Sequence, residues 1–85
     1  MRLLETPKFQ KLRRKLKEES ERDALKTAIL SIVENPLSGK KLKGELRNLC
    51  SFRYAVQGQP RRLVYKLEED AVVLYSFGPR QGIYG

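Results

Sequence analysis

Four side chains in the last third of the chain, Arg53, Arg62, Arg80 and Tyr84, have the types and setting that point to chemistry. They lie in a stretch of strand-like alternation, in a sequence that contains no histidine. A guanidinium set into a sheet loses hydration, and that cost is offset only when an anion accompanies it. The planar fork of arginine matches the oxygens of a phosphate, but its permanent charge suits it poorly to proton transfer. Tyrosine can move a proton, and cations beside it lower its ordinary pKa of ~10. The segment therefore reads as a surface for handling phosphodiesters. The competing structural reading pairs Arg53 and Arg62 with Glu68, Glu69 or Asp70 on a solvated sheet. It leaves Arg80 as a charged tail residue and Tyr84 as a ring closing the core edge.

Charge supports the first reading. Lys and Arg number 18 against 10 Asp and Glu, a net charge of +8 that favours polyanionic partners, nucleic acid foremost. With 85 residues, positions 1–85 are expected to form a single domain. A single cysteine, Cys50, excludes a disulfide framework, and with no histidine the usual zinc ligands are missing. No metal or other cofactor is expected. No apolar run approaches the ~18 residues of a membrane span, and the N-terminus has no signal-like segment. A soluble, cytoplasmic protein is the expectation.

The elements that must position these residues follow from periodicity. Arg2–Glu5 reads as a short edge strand. Thr6-Pro7 starts a helix, with Thr6 as cap and proline at a position whose N–H is not needed. Phe9, Leu12 and Leu16 give that helix one apolar stripe on an otherwise basic surface. Ser20 is expected to cap a second helix, whose stripe is Leu25, Ala28, Ile29, Ile32 and Val33 and which Asn35-Pro36 ends. Residues 37–48 read as a loop. From Leu49 the period becomes two, predicting three strands in an antiparallel meander with turns at Gly58-Gln59 and Glu68-Glu69-Asp70.

Strand parity assigns the faces. A two-residue turn at Gly58-Gln59 sets Ala55 opposite Arg62 and Arg53 opposite Val64. Phe52, Tyr54, Val56, Leu63 and Tyr65 then face the helices, with Cys50 a small core residue. Arg53 and Arg62 share the other, open face.

Taken together, the "Lys-Lys-Leu-Lys-Gly-Glu-Leu" loop, "Phe-Arg-Tyr", "Arg-Arg-Leu-Val-Tyr-Lys-Leu" and the terminal "Gly-Pro-Arg…Tyr" resemble the RelE/ParE superfamily of toxins from toxin–antitoxin systems. The resemblance covers nearly the whole chain. It implies an α+β fold, a two-helix hairpin packed on one face of a curved, mainly antiparallel sheet. It also implies a toxin silenced by a cognate antitoxin. In RelE-like members, the toxin cuts mRNA in the ribosomal A site without metal; in ParE-like members the same fold poisons DNA gyrase. The RelE-like activity is the reading favoured here. The alternatives are a gyrase poison and a catalytically silent member that only binds antitoxin or nucleic acid.

By the resemblance, Arg53, Arg62, Arg80 and Tyr84 match catalytic positions, and Lys43 loosely matches a basic residue of the preceding loop. Arg62 and Arg80 are expected to stabilise the phosphorane and Tyr84 to move the proton. Lys43 and Arg53 are expected to hold flanking phosphates, Lys43 being also a candidate donor to the leaving oxygen. Ala55 departs from the pattern, since ribosome-dependent members often carry a lysine there, and no histidine precedes Tyr84. Lys11, Arg14 and Lys15 on the first helix, Lys40 and Lys41 in the loop, and Arg61 are expected to contact RNA backbone. The expected partners are the antitoxin, the ribosome and mRNA, with no membrane.

Overall fold

The computed structural model describes residues 1–42 and 48–79. Its elements are β1 (Arg2–Glu5), α1 (Pro7–Arg14), α2 (Glu19–Glu34), a 3₁₀ turn (Pro36–Ser38), β2 (Lys40–Lys41), β3 (Cys50–Val56), β4 (Gln59–Leu67) and β5 (Ala71–Gly78). The strands form one sheet in the order β1-β5-β4-β3-β2. β3, β4 and β5 make the expected antiparallel meander, and β1 joins β5 in parallel, with Arg2 facing Ala71 and Glu5 facing Leu74. Both helices lie on one face, α1 over β5 and α2 over β3. The architecture is the α+β arrangement of a helical hairpin on a mainly antiparallel sheet. No helix among the described residues is long and apolar enough to cross a membrane.

Local chemistry explains the first helix. The Thr6 hydroxyl accepts a hydrogen bond from the Phe9 amide at 3.1 Å, satisfying an otherwise orphaned donor, and Pro7 opens the helix. The same hydroxyl donates to the Tyr75 carbonyl at 3.2 Å, so the cap also ties α1 to β5. Thr6→Ala is expected to lower the unfolding free energy by about 1–2 kcal/mol. Denaturant titration beside Thr6→Ser, which keeps the cap, checks this.

The second helix starts earlier than its serine suggested. Glu18 is the N-cap, with no side-chain cap bond, and Ser20 lies inside the first turn. Acidic residues Glu19 and Glu21 suit that turn because the helix dipole is positive there. Its stripe buries Leu25, Ala28 and Ile32, while Ile29 is partly buried and Val33 remains exposed at the margin.

The core joins these residues to Phe9, Cys50, Leu63, Tyr65, Val72, Leu74 and Phe77, with Phe9 edge-on to Phe77 at 5.1 Å between ring centroids. Leu12, Leu16, Phe52 and Tyr54 pack partly buried around it. A bulge in the β4–β5 pairing lets Val64 face Ser76 but Tyr65 face Leu74, leaving Tyr75 as the extra residue. That insertion turns Val72 and Leu74 toward the helices and puts Ser76 on the opposite face with Val64.

Candidate functional site

The β3–β4 turn fixes which cations meet. Its central residues are Gln57 and Gly58, with φ of 50° and 81°, so both occupy the left-handed region that a type I′ hairpin requires. The turn is therefore one residue earlier than Gly58-Gln59. The register moves by two residues: Arg53 faces Arg62, Ala55 faces Pro60 and Val64 faces Ser51. A two-residue slip preserves parity, so the assignment of faces stands while the partners change.

Two guanidinium side chains thus spring from directly opposite positions on the open face. Like charges so placed repel unless an anion sits between or above them. Neither pairs with Glu68, Glu69 or Asp70. Glu68 binds Lys66 at 3.1 Å and Asp70 binds Arg2 at 3.6 Å. Arg53 is exposed, and neither it nor Arg62 has an acidic partner among the described residues.

Arg62 is half-buried and its Nη1 donates to Ser51 Oγ at 3.2 Å, which draws the guanidinium diagonally toward β2. Ser51, Val64 and Ser76 are buried beneath it and form the floor of this face. Across from Arg62 on β5 stands Gly78, without a side chain, its φ of 150° closing to most L-residues a conformation the strand uses as it ends. The lane from Arg53 across Arg62 toward Gly78 is therefore cationic. That arrangement can hold a phosphate by charge-assisted hydrogen bonds.

The remaining candidates separate into several places. Lys43, Arg80 and Tyr84 lie outside the described residues. Arg61 turns to the helix side, where its Nη2 binds Glu21 Oε1 at 3.0 Å, so it fastens β4 to α2 and is absent from the open face. Lys11 and Arg14 are exposed on α1, which lies over β5, and Lys15 is exposed at its C-cap. Lys40 and Lys41 form β2 at the opposite end of the strand order, so the basic helix and the loop lysines do not make one continuous footprint. Lys40 faces Ser51 and so shares the open face, whereas Lys41 faces Cys50 on the helix side.

The helix side also holds Tyr54, whose hydroxyl is buried with no hydrogen-bond partner among the described residues. Burial, then the nearby Glu21 carboxylate, pushes its phenol up to about 12, against a smaller downward pull from Arg61. A phenol raised above its unfolded value contributes stability fully present below pH ~10, which is lost as pH climbs through the folded value. Tyr54→Phe is accordingly expected to fold at least as stably at neutral pH and to lose less stability between about pH 10 and 12. Denaturation midpoints across that window measure it.

A family model described as a ParE-like toxin of a type II bacterial toxin–antitoxin system matches residues 3–85. Among solved structures, the chain is similar to one from the intact E. coli RelBE toxin–antitoxin complex. They share 24% identity over 94% of this chain and 96% of that chain, with a TM-score of 0.75. It also matches the isolated E. coli RelE toxin, at 25% identity, 98% and 89% coverage and a TM-score of 0.73. YafQ from E. coli is similar at 19% identity over the whole of both chains, with a TM-score of 0.69. No curated protein matches the sequence.

Proposed function

From its membership of the ParE-like toxin family of type II bacterial toxin–antitoxin systems, to which the chain belongs, we propose that this toxin cuts mRNA on the ribosome. The observation that carries the reading is the facing pair Arg53 and Arg62, on an open face without carboxylate partners among the described residues. A protein that acts only by binding another protein has no need of such a cradle.

The nucleophile in this reading is the RNA's own 2′-hydroxyl. As its proton passes to the proton-transfer group, it attacks the adjacent phosphorus, a bond forms from O2′ to phosphorus, and a dianionic phosphorane results. The bond to O5′ then breaks and O5′ takes a proton, leaving a 2′,3′-cyclic phosphate and a 5′-hydroxyl. Arg62 holds the developing charge on the phosphorane oxygens, and Arg53 holds a flanking phosphate. Arg80 and Tyr84 take their roles from the family resemblance, as second cation and proton-transfer group. No metal is required by this scheme.

A cognate antitoxin is the second partner. Between α1, α2 and β1 runs a groove of about 560 Å³ that includes Leu3, Leu16 and Leu30 and is flanked by Arg13, Arg14, Arg22 and Lys26. Leu3 and Leu30, 46% and 53% exposed, share this groove, and exposed apolar side chains gathered in one place mark an interaction surface. An amphipathic acidic segment fits such a surface.

Gyrase poisoning is the second reading, favoured by Ala55, which places a small apolar residue opposite Pro60 where ribosome-dependent members often carry lysine. Induced expression followed by primer extension on a translated mRNA, with gyrase supercoiling assayed in parallel, separates the two. Cuts inside translated codons support the nuclease. Intact transcripts with blocked supercoiling transfer the activity to gyrase.

A further inference from the structure

We propose that Lys40 belongs to the reacting site, where its ammonium binds the same phosphodiester that Arg62 holds. This rests on the nuclease reading and deepens it, moving Lys40 from a peripheral docking contact to the cradle itself.

The argument starts from register. Lys40 faces Ser51 directly, so the two side chains leave the same face with Cβ atoms roughly 5 Å apart. Ser51 Oγ is also the atom to which Arg62 donates, at 3.2 Å. The guanidinium of Arg62 therefore leans away from Arg53 and toward the root of Lys40. A four-carbon stem rooted there brings its ammonium over the same floor, so Lys40, Arg53 and Arg62 surround one small area from three successive strands. Ala55 leaves β3 without a second cation on this face, and Lys40 reaches the area from the neighbouring strand instead. Among the described residues, Lys40 has no acidic partner that would hold it elsewhere.

The backbone beneath Lys40 is fixed on both sides. The buried Tyr65 hydroxyl accepts from the Gly39 amide at 3.0 Å and donates to the Pro36 carbonyl at 2.7 Å. Two residues on, the Leu42 amide donates to the Leu49 carbonyl at 3.0 Å. A Cβ at position 39 would meet the Tyr65 ring carbons Cε1 and Cζ at 2.8 and 2.9 Å, so the approach depends on glycine. Lys40 is thus presented from an anchored strand, and Lys41, next to it but facing Cys50, is the natural comparison.

The test compares Lys40→Ala, Lys40→Arg, Lys41→Ala and Arg62→Ala. It reads cleavage of ribosome-bound mRNA, and the salt dependence of binding to a 2′-deoxy oligonucleotide that cannot be cut. Lys40→Ala is expected to slow cleavage at least ~10-fold, with Lys40→Arg restoring most of it and Lys41→Ala, a backbone contact outside the cradle, slowing it several-fold less than Lys40→Ala. The binding slope against log salt should fall by ~0.7 for Lys40→Ala and by less for Lys41→Ala. If Arg62→Ala abolishes cleavage while Lys40→Ala behaves like Lys41→Ala, the inference is overturned and the nuclease reading survives. If Arg62→Ala leaves cleavage intact, or the wild type does not cut, the nuclease reading fails. The slopes then decide: a larger loss for Lys40→Ala than for Lys41→Ala supports its place in the anion site, and equal slopes or no binding overturns it. Both lysines are exposed, so the variants are expected to fold, which circular dichroism checks.

Discussion

Arg62→Ala should slow cleavage of ribosome-bound mRNA by about 10²–10³-fold, the usual consequence of deleting one donor from a preorganised oxyanion site. The guanidinium is half-buried, oriented by Ser51, and unopposed by any carboxylate among the described residues, so its charge is available to a phosphate. Arg62→Lys should recover only part of the rate, because an ammonium cannot reproduce the two-pronged contact. The neighbouring Arg61 supplies the contrast. Its partner is Glu21 at 3.0 Å, so Arg61→Ala is expected to lower stability with little effect on the rate of the folded fraction. Single-turnover cleavage with each variant, normalised to folded protein, measures both. A wild-type rate in Arg62→Ala would remove this residue from the chemistry.

Phe9→Ala carries the largest expected cost in stability, about 3–5 kcal/mol. The ring is fully buried, lies edge-on to Phe77, and joins α1 to the strand on which the open lane ends. A domain of this length has a total of roughly 4–13 kcal/mol to lose. The variant should therefore unfold at a far lower denaturant concentration than wild type, with a substantial fraction unfolded even in buffer. Guanidinium titration followed by circular dichroism gives the value. Phe9→Leu, which keeps much of the volume, should lose considerably less.

The sequence disclosed parity and concealed partners. Alternation in residues 50–56 and 59–67 is strong enough to sort inward from outward side chains, and any even slip in register leaves that sorting unchanged. It does not say which residue sits opposite which. That depended on the turn, and glutamine at position 57 gives no hint of the left-handed conformation it adopts. β2 escaped notice for a related reason, since two lysines cannot display a period. Arg61 looked like one more free cation because its partner, Glu21, is forty residues away and meets it only when α2 lies across the sheet. Glu18 took the cap position from Ser20, for a helix whose apolar stripe was plain but whose first residue was not. The open pair of arginines was visible as a shared face, while their direct opposition and the arrival of Lys40 beside them required coordinates.

The parallel partnership of β1 with β5 has a kinetic consequence. The first four-residue strand finds its neighbour among the described strands some seventy residues later, and Phe9 waits equally long for Phe77. Such distant pairings close slowly, because chain entropy is spent before any contact rewards it. The nascent polypeptide therefore cannot complete its sheet until β5 has been translated.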